Sequence, residues 1–301
     1  MSQNPEKGLA HQLNIHGHGF HYAVLKIVKS CFDNQTSPWI FEVAEFPVEI
    51  NGASTHIDFI LRNKNEPFFM VSECKRADPS LSNWCFVKTP FVSRQHASGK
   101  ERIVREVLIN RKSSGEPPTV NLDWFARSNE IYRLGFEVKN DDKGEGKFGR
   151  GQINDAITQV LRGHNGLFNF FASKLEKTKR MPFQGSSNGN SYAAFLPVII
   201  TTAKLWVSDI DLSEADTNSG NIDFPQDSLK EKEWLLYHYA QTPDISHQLS
   251  GFSEIEDLSD ALYFEYTRTI PIVNAAGIQS FLSDPMWKHP DDWQRTKQYG
   301  S

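Results

Sequence analysis

The stretch that most constrains this chain is 51–79, NGASTHIDFILRNKNEPFFMVSECKRADP. Asn51-Gly52 is the strongest short hairpin signal a sequence offers, because both residues tolerate positive φ. It predicts a two-residue turn with Ile50 opposite Ala53, so that partner numbers sum to 103. A turn centred on Asn65-Glu66 sets the next pairing at a sum of 131. These two registers put Asp58 opposite both Glu45 and Glu73. Opposed residues share a sheet face, with Cβ atoms about 5 Å apart. Glu45, Asp58 and Glu73 then form one row across three strands, and Lys75, two positions on, shares their face. Cys74 points the other way, into the core with Met70 and Ser72. The weak point is Pro47, which removes a ladder donor and puts this strand at a sheet edge or bulges it. A slip of one residue there turns Glu45 away and brings Glu42 and Ala44 onto its face.

The remaining elements follow from periodicity. Apolar residues at helical spacing predict a first core helix over Phe20–Phe32, after a loose or weakly helical arm at 1–16. The three strands are Trp39–Ile50, Ser54–Arg62 and Pro67–Arg76, with Asp78-Pro79 as the stop. Residues 80–148 read as an insertion. Glu101–Asn110 suits a short helix or a strand, and Ile131–Lys139 a strand. Ile153, Ala156, Ile157, Val160 and Leu161 line one face of a second core helix, Gln152–Arg162. Gly163 and Asn165-Gly166 are read as its end, with a further helix near Leu167–Lys177. Tyr192–Val207 is one long or bent buried strand. The last third carries strands at Trp234–Tyr239 and Leu262–Val273, and Asn274 caps a closing helix over Ala275–Leu282.

Charge is uneven. Residues 73–150 hold 15 Lys/Arg against 11 Asp/Glu, whereas 206–301 hold 6 against 17. A polyanion would meet the middle of the chain and avoid the tail. Uneven solvated faces explain the same letters. Three cysteines without a CxxC pair argue against a disulfide framework or a zinc ribbon and fit a reducing cytoplasm. No signal-peptide run opens the sequence, and the longest apolar run, Ala193–Ile200, is too short to span a membrane. The expectation is a soluble, cytoplasmic protein. The HGHGFH run at 16–21 reads as a helix entry in preference to a metal motif.

Three opposed carboxylates repel and need a cation. Hard oxygen ligands suit Mg²⁺, or Mn²⁺. Such a metal lowers the pKa of a bound water and neutralises charge on a phosphate, while Lys75 orients the water or steadies the developing charge. The bland alternative is a solvent-facing sheet surface of alternating charge. A rival pair, Glu137 and Lys139, also sits on a strand but lacks an acid-bearing strand joined to it by a tight hairpin. Arg76, Lys88, Arg94, Lys100, Arg102 and Arg105, with Trp84, Phe86 and Phe91 between them, are of the kinds that track a phosphate backbone. Core aromatics and surface cations account for them equally.

The order helix, three-stranded meander with D then ExK, helix, strand resembles the PD-(D/E)xK nuclease superfamily. The resemblance covers roughly residues 17–206, interrupted by the insertion. It implies an α/β fold with a restriction-endonuclease-like αβββαβ core and a central mixed sheet flanked by helices. The chain is then a single domain: core 17–77 and 149–206, insertion 78–148, and an acidic C-terminal α+β extension 207–301. It implies that Asp58 and Glu73 ligate the metal and that Lys75 is the catalytic lysine. Gln159 resembles the glutamine that some members carry on the core helix; otherwise it is a solvated helix residue. Many members place a glutamate on the first helix. Here that helix carries His21 and no acid before Asp33, so Glu45 is the candidate third ligand. The implied activity is metal-dependent endonucleolytic cleavage of nucleic acid, DNA in the first instance, in a restriction or defence setting. A homodimer would suit two-fold duplex cleavage. The competing class is a non-catalytic nucleic-acid-binding or scaffold module that keeps the fold.

Overall fold

The structure is a computed structural model. It describes residues 5–15, 17–65, 67–90, 101–111, 119–128, 130–139, 151–178, 190–225, 227–240 and 266–287. Helices α1 (Pro5–Ile15) and α2 (His18–Asp33) lead into strands β1 (Trp39–Ile50), β2 (Ala53–Asn63) and β3 (Phe68–Lys75). Five strands fill the expected insertion: β4 (Asn83–Val87), β5 (Glu101–Arg111), β6 (Thr119–Ser128), β7 (Ile131–Tyr132) and β8 (Leu134–Val138). Then come α3 (Gln152–Thr178), β9 (Asn190–Thr201), β10 (Lys204–Ser208), β11 (Leu229–Lys232), β12 (Trp234–Ala240), β13 (Thr267–Asn274) and α4 (Ile278–Ser283). The chain is mixed α/β with a central mixed sheet. Among the described residues no helix is long and apolar enough to cross a membrane.

The meander has the register that its turns dictate. Asn51 and Gly52 both take positive φ, 50° and 77°, and Ile50 pairs with Ala53. Pro47 keeps register opposite His56, on a strand at the sheet edge. The slip lies instead between Phe41 and Val43, at Glu42, whose carboxylate takes the Arg62 guanidinium. The β2–β3 ladder runs from Arg62↔Phe69 to Phe59↔Ser72, also as counted, and ends one pair short of Asp58 and Glu73. Glu45 sits in left-handed backbone, φ 51°, between the paired residues Ala44 and Phe46. At the level of the acids the β2–β3 ladder therefore ends and the β1–β2 ladder is interrupted at one pair.

Strand β9 is the hub. β3 runs parallel along one side of it. Its other side divides: β5 pairs antiparallel with residues 190–195 and β13 parallel with 199–201. β12 and β7 extend the sheet beyond β13. The acidic extension and the insertion thus both contribute strands to the central sheet. The expected single strand over Tyr192–Val207 is two strands: after Thr201 the chain leaves the central sheet, and β10 joins β11, β4 and β8 in a second, four-stranded sheet. Leu262–Glu265 of the predicted last strand lies outside the described residues. Asn274 accepts from the Ala276 N–H at 2.9 Å and caps a 3₁₀ turn, Ala275–Gly277, that leads into α4, where the sequence predicts one helix over Ala275–Leu282.

The central sheet is covered on both faces. Val24 and Val28 of α2 pack with Phe281 and Leu282 of α4 over Phe59, Met70 and Leu196. On the opposite face Leu167 and Phe168 of α3 pack on Val48, Ile57, Val71 and Phe195. The predicted helix end at Gly163–Gly166 is wrong: α3 continues to Thr178. The glycines there serve close approach. A Cβ on Gly166 would lie 2.6 Å from the Val48 Cβ, and one on Gly163 would lie 3.0 Å from Ile57 Cγ1. Gly166→Ala would gain about 0.5–1 kcal/mol of helix propensity. The overpacking it forces costs about 1–3 kcal/mol. A net loss of about 1–2 kcal/mol in urea unfolding is expected. A variant as stable as the wild type would refute the close-approach role.

Candidate active site

The candidate side chains lie where the β2–β3 ladder ends and the β1–β2 ladder is interrupted. With no ladder partner from Asp58, the Cys74 N–H turns to the Asp58 side chain and donates to Oδ2 at 2.6 Å. The same oxygen faces His21 Nε2 of α2 at 3.3 Å. Glu73 and Lys75 lie on β3, one residue to either side of Cys74. Lys75 Nζ donates to Gln159 Oε1 of α3 at 3.1 Å, so the ammonium is oriented from the helix. The charges of Asp58 and Lys75 both act on Glu73, and that of Lys75 also acts on Asp58.

Electrostatics mark the cluster as short of positive charge. Burial pushes the Glu73 carboxyl up to about 8, the nearby Asp58 charge adds to this, and Lys75 offsets only part of it. Burial also raises Asp58, against the Cys74 N–H bond and the charge of His21, which hold it down. Among the described residues, the ion-pair partner within 4.0 Å of Asp58 is an imidazole, with no guanidinium or ammonium that close. A divalent cation would supply the missing charge.

Glu45 comes to the site by a different route from the one expected. Its carboxylate is half exposed and approaches His21 Nδ1 at 3.7 Å, while its charge raises both Asp58 and Glu73. A non-glycine residue at this φ costs about 1–3 kcal/mol and persists where its surroundings over-determine it, commonly at functional sites. His21 is the residue that sequence reasoning undervalued. It stands four positions after Gly17, whose left-handed backbone (φ 71°) turns the chain into α2. The first-turn position was legible; the crossing of α2 over the end of the β2–β3 ladder was not.

No family model matches this chain, and no curated protein or solved structure matches it. The site therefore stands on its own geometry. Among the described residues two sets of donor atoms lie mutually within 4.8 Å: His18, His21 and Glu45, and His21, Asp58 and Cys74. Cys74 is a poor member of the second, because burial and the neighbouring carboxylates push its thiol well above the ordinary range and keep it protonated. All three cysteines are free and buried.

The other candidates fall elsewhere. Glu137 belongs to β8 in the second sheet and accepts from the Ile153 N–H at 2.9 Å, so it caps α3. Of the rival pair, Glu137 is thus engaged through one oxygen at the start of the helix that carries Gln159. Trp84 and Phe86 are fully buried and offer no stacking platform. Lys88 bonds Asp209 at 3.0 Å. Arg76 is exposed. Phe91, Arg94, Lys100 and the side chains of Arg102 and Arg105 lie outside the described residues.

Proposed function

We propose that this protein is a metal-dependent nuclease of the PD-(D/E)xK type that hydrolyses phosphodiester bonds in DNA. The observation that carries the reading is the proximity of Asp58, Glu73 and Lys75 where the β2–β3 ladder ends, with the lysine oriented by Gln159. The order α2, antiparallel β1–β2–β3, α3 and a β9 parallel to β3 supports a restriction-endonuclease-like core.

Asp58 and Glu73 would hold Mg²⁺ or Mn²⁺. The carboxylate pair fits such an ion, because burial raises both groups, and the charge of Glu45 on each and of Asp58 on Glu73 adds repulsion that a dication would relieve. When bound, the ion supplies an activated water and charge neutralisation at phosphate. The remaining work belongs to the chain. The Cys74 N–H fixes Asp58 through Oδ2 and leaves Oδ1 for a ligand. Lys75 directs its ammonium at a scissile phosphate or at the attacking water. Gln159 Oε1 holds that ammonium in one place, so its orientation is set before substrate arrives.

The test is cleavage of plasmid DNA with Mg²⁺ or Mn²⁺. The wild type is expected to cut, and Lys75→Ala to lose at least ~100-fold in rate. Equal cleavage by both proteins would remove Lys75 from the mechanism. Metal-independent DNA binding without cleavage would favour a non-catalytic binding module instead.

A further inference from the structure

The entry to α2 holds a second donor set that the proposed nuclease chemistry does not use. His18 and His21 lie three residues apart, on one side of the helix. Their rings meet edge to face with centroids 6.1 Å apart. Glu45 reaches the same point from β1, and one donor atom from each of the three lies within 4.8 Å of the others. His18 and Glu45 are exposed, so a solvated ion has a direct way in.

His21 links this set to the interior. Its Nδ1 is buried, makes no hydrogen bond and lies 3.7 Å from the Glu45 carboxylate. Its Nε2 faces Asp58 Oδ2 at 3.3 Å. A hydrogen on Nε2 pointing at Asp58 leaves the Nδ1 lone pair directed toward Glu45 and His18. A metal-bound imidazole whose other nitrogen is held by a carboxylate has this arrangement. The left-handed backbone of Glu45 turns its side chain out of the ladder.

We propose that His18, His21 Nδ1 and Glu45 bind a transition-metal dication of the zinc class, with Asp58 as the carboxylate that orients His21. Two imidazoles and one carboxylate with an open fourth position form a recognised zinc donor set. The two nitrogens select against Mg²⁺, which prefers oxygen ligands. The site shares Asp58 with the Asp58/Glu73 pair only through His21, and it does not depend on the protein being a nuclease.

Calorimetric titration of the chelator-stripped full chain with Zn²⁺ tests this. The wild type is expected to bind an equivalent that His18→Ala and Glu45→Gln each weaken at least ~10-fold. Asp58→Asn, acting through His21, is expected to weaken it by ~10-fold or more. Glu49→Gln, at an exposed acid on the same strand as Glu45, should leave it unchanged. Thermal melting without metal checks that each variant is folded. His18→Ala lies on an exposed helix turn and keeps the measurement interpretable if Glu45→Gln unfolds. Zinc affinity equal to wild type in His18→Ala, or no zinc binding by the wild type, would overturn the proposal. Because binding is read directly, absence of nuclease activity leaves this outcome untouched.

Discussion

Arg268→Ala is expected to cost roughly 3–5 kcal/mol of folding stability, the usual loss when one partner of a buried ion pair is removed. The reason lies in the divided side of β9. Where β5 and β13 part, backbone groups and space are left between them. Thr269 fills part of it, accepting from the Val104 N–H at 2.8 Å. Arg268 fills the rest: its Nε donates to Glu106 Oε1 at 2.6 Å and its Nη1 to the Thr267 carbonyl at 2.8 Å. The other Glu106 oxygen faces His164 Nδ1 of α3 at 3.3 Å. Arg268 is 1 % exposed, and Glu106 and His164 are 0 %. Without the guanidinium, Glu106 is a carboxylate with no access to water, and that desolvation exceeds any gain in chain entropy. The measurement is the shift in urea midpoint at constant slope. A double variant, Glu106→Leu with Arg268→Met, removes both charges and should lie much nearer the wild type than Arg268→Ala. A loss below ~1 kcal/mol in Arg268→Ala would show that the fork is not held by this pair.

Neither the fork nor its ion pair was legible in the sequence, and the contrast with the hairpin says why. Ile50↔Ala53 and Phe59↔Ser72 could be counted from turn chemistry, because a tight turn transmits register along the ladder. Glu106 and Arg268 stand 162 residues apart, and no local rule pairs β5 or β13 with β9. Asp58, Glu73 and Lys75 were readable for the same local reason as the hairpin. His21 was visible as a letter but not as a neighbour, since its place depends on how α2 crosses the sheet. Gly163 and Gly166 misled because glycine signals two things: a left-handed helix end and room for a close neighbour. Their neighbours, Ile57 and Val48, lie in strands over a hundred residues earlier. The Tyr192–Val207 run was equally ambiguous, because continuous apolar residues do not say that Thr201 ends one sheet and Lys204 begins another.

Glu73→Gln is expected to flatten the response of the metal-free protein to pH. In an unfolded chain the Glu73 carboxyl has its ordinary value of 4.5, and in the folded protein burial and Asp58 push it to about 8. Below 4.5 both states hold the proton, and the contribution to stability is fully present. Between 4.5 and about 8 the unfolded chain gives up the proton while the folded protein keeps it, so rising pH favours unfolding. The contribution is gone once pH passes the folded value. Stability of the wild type in chelator should therefore fall by roughly 2–4 kcal/mol from mildly acid to mildly alkaline pH. Glutamine keeps the shape and cannot ionise, so Glu73→Gln should hold most of that stability at alkaline pH; Asp58, also raised, leaves a smaller slope of the same sign. The variant is thus expected to be more stable than the wild type at pH about 8 without metal. Added Mn²⁺ should close the gap, because a bound dication favours the ionised carboxylates and stabilises the wild type more than the variant. Parallel pH curves for the two proteins, with no extra gain from Mn²⁺ in the wild type, would mean that Glu73 is solvated as a carboxylate and is not a metal ligand.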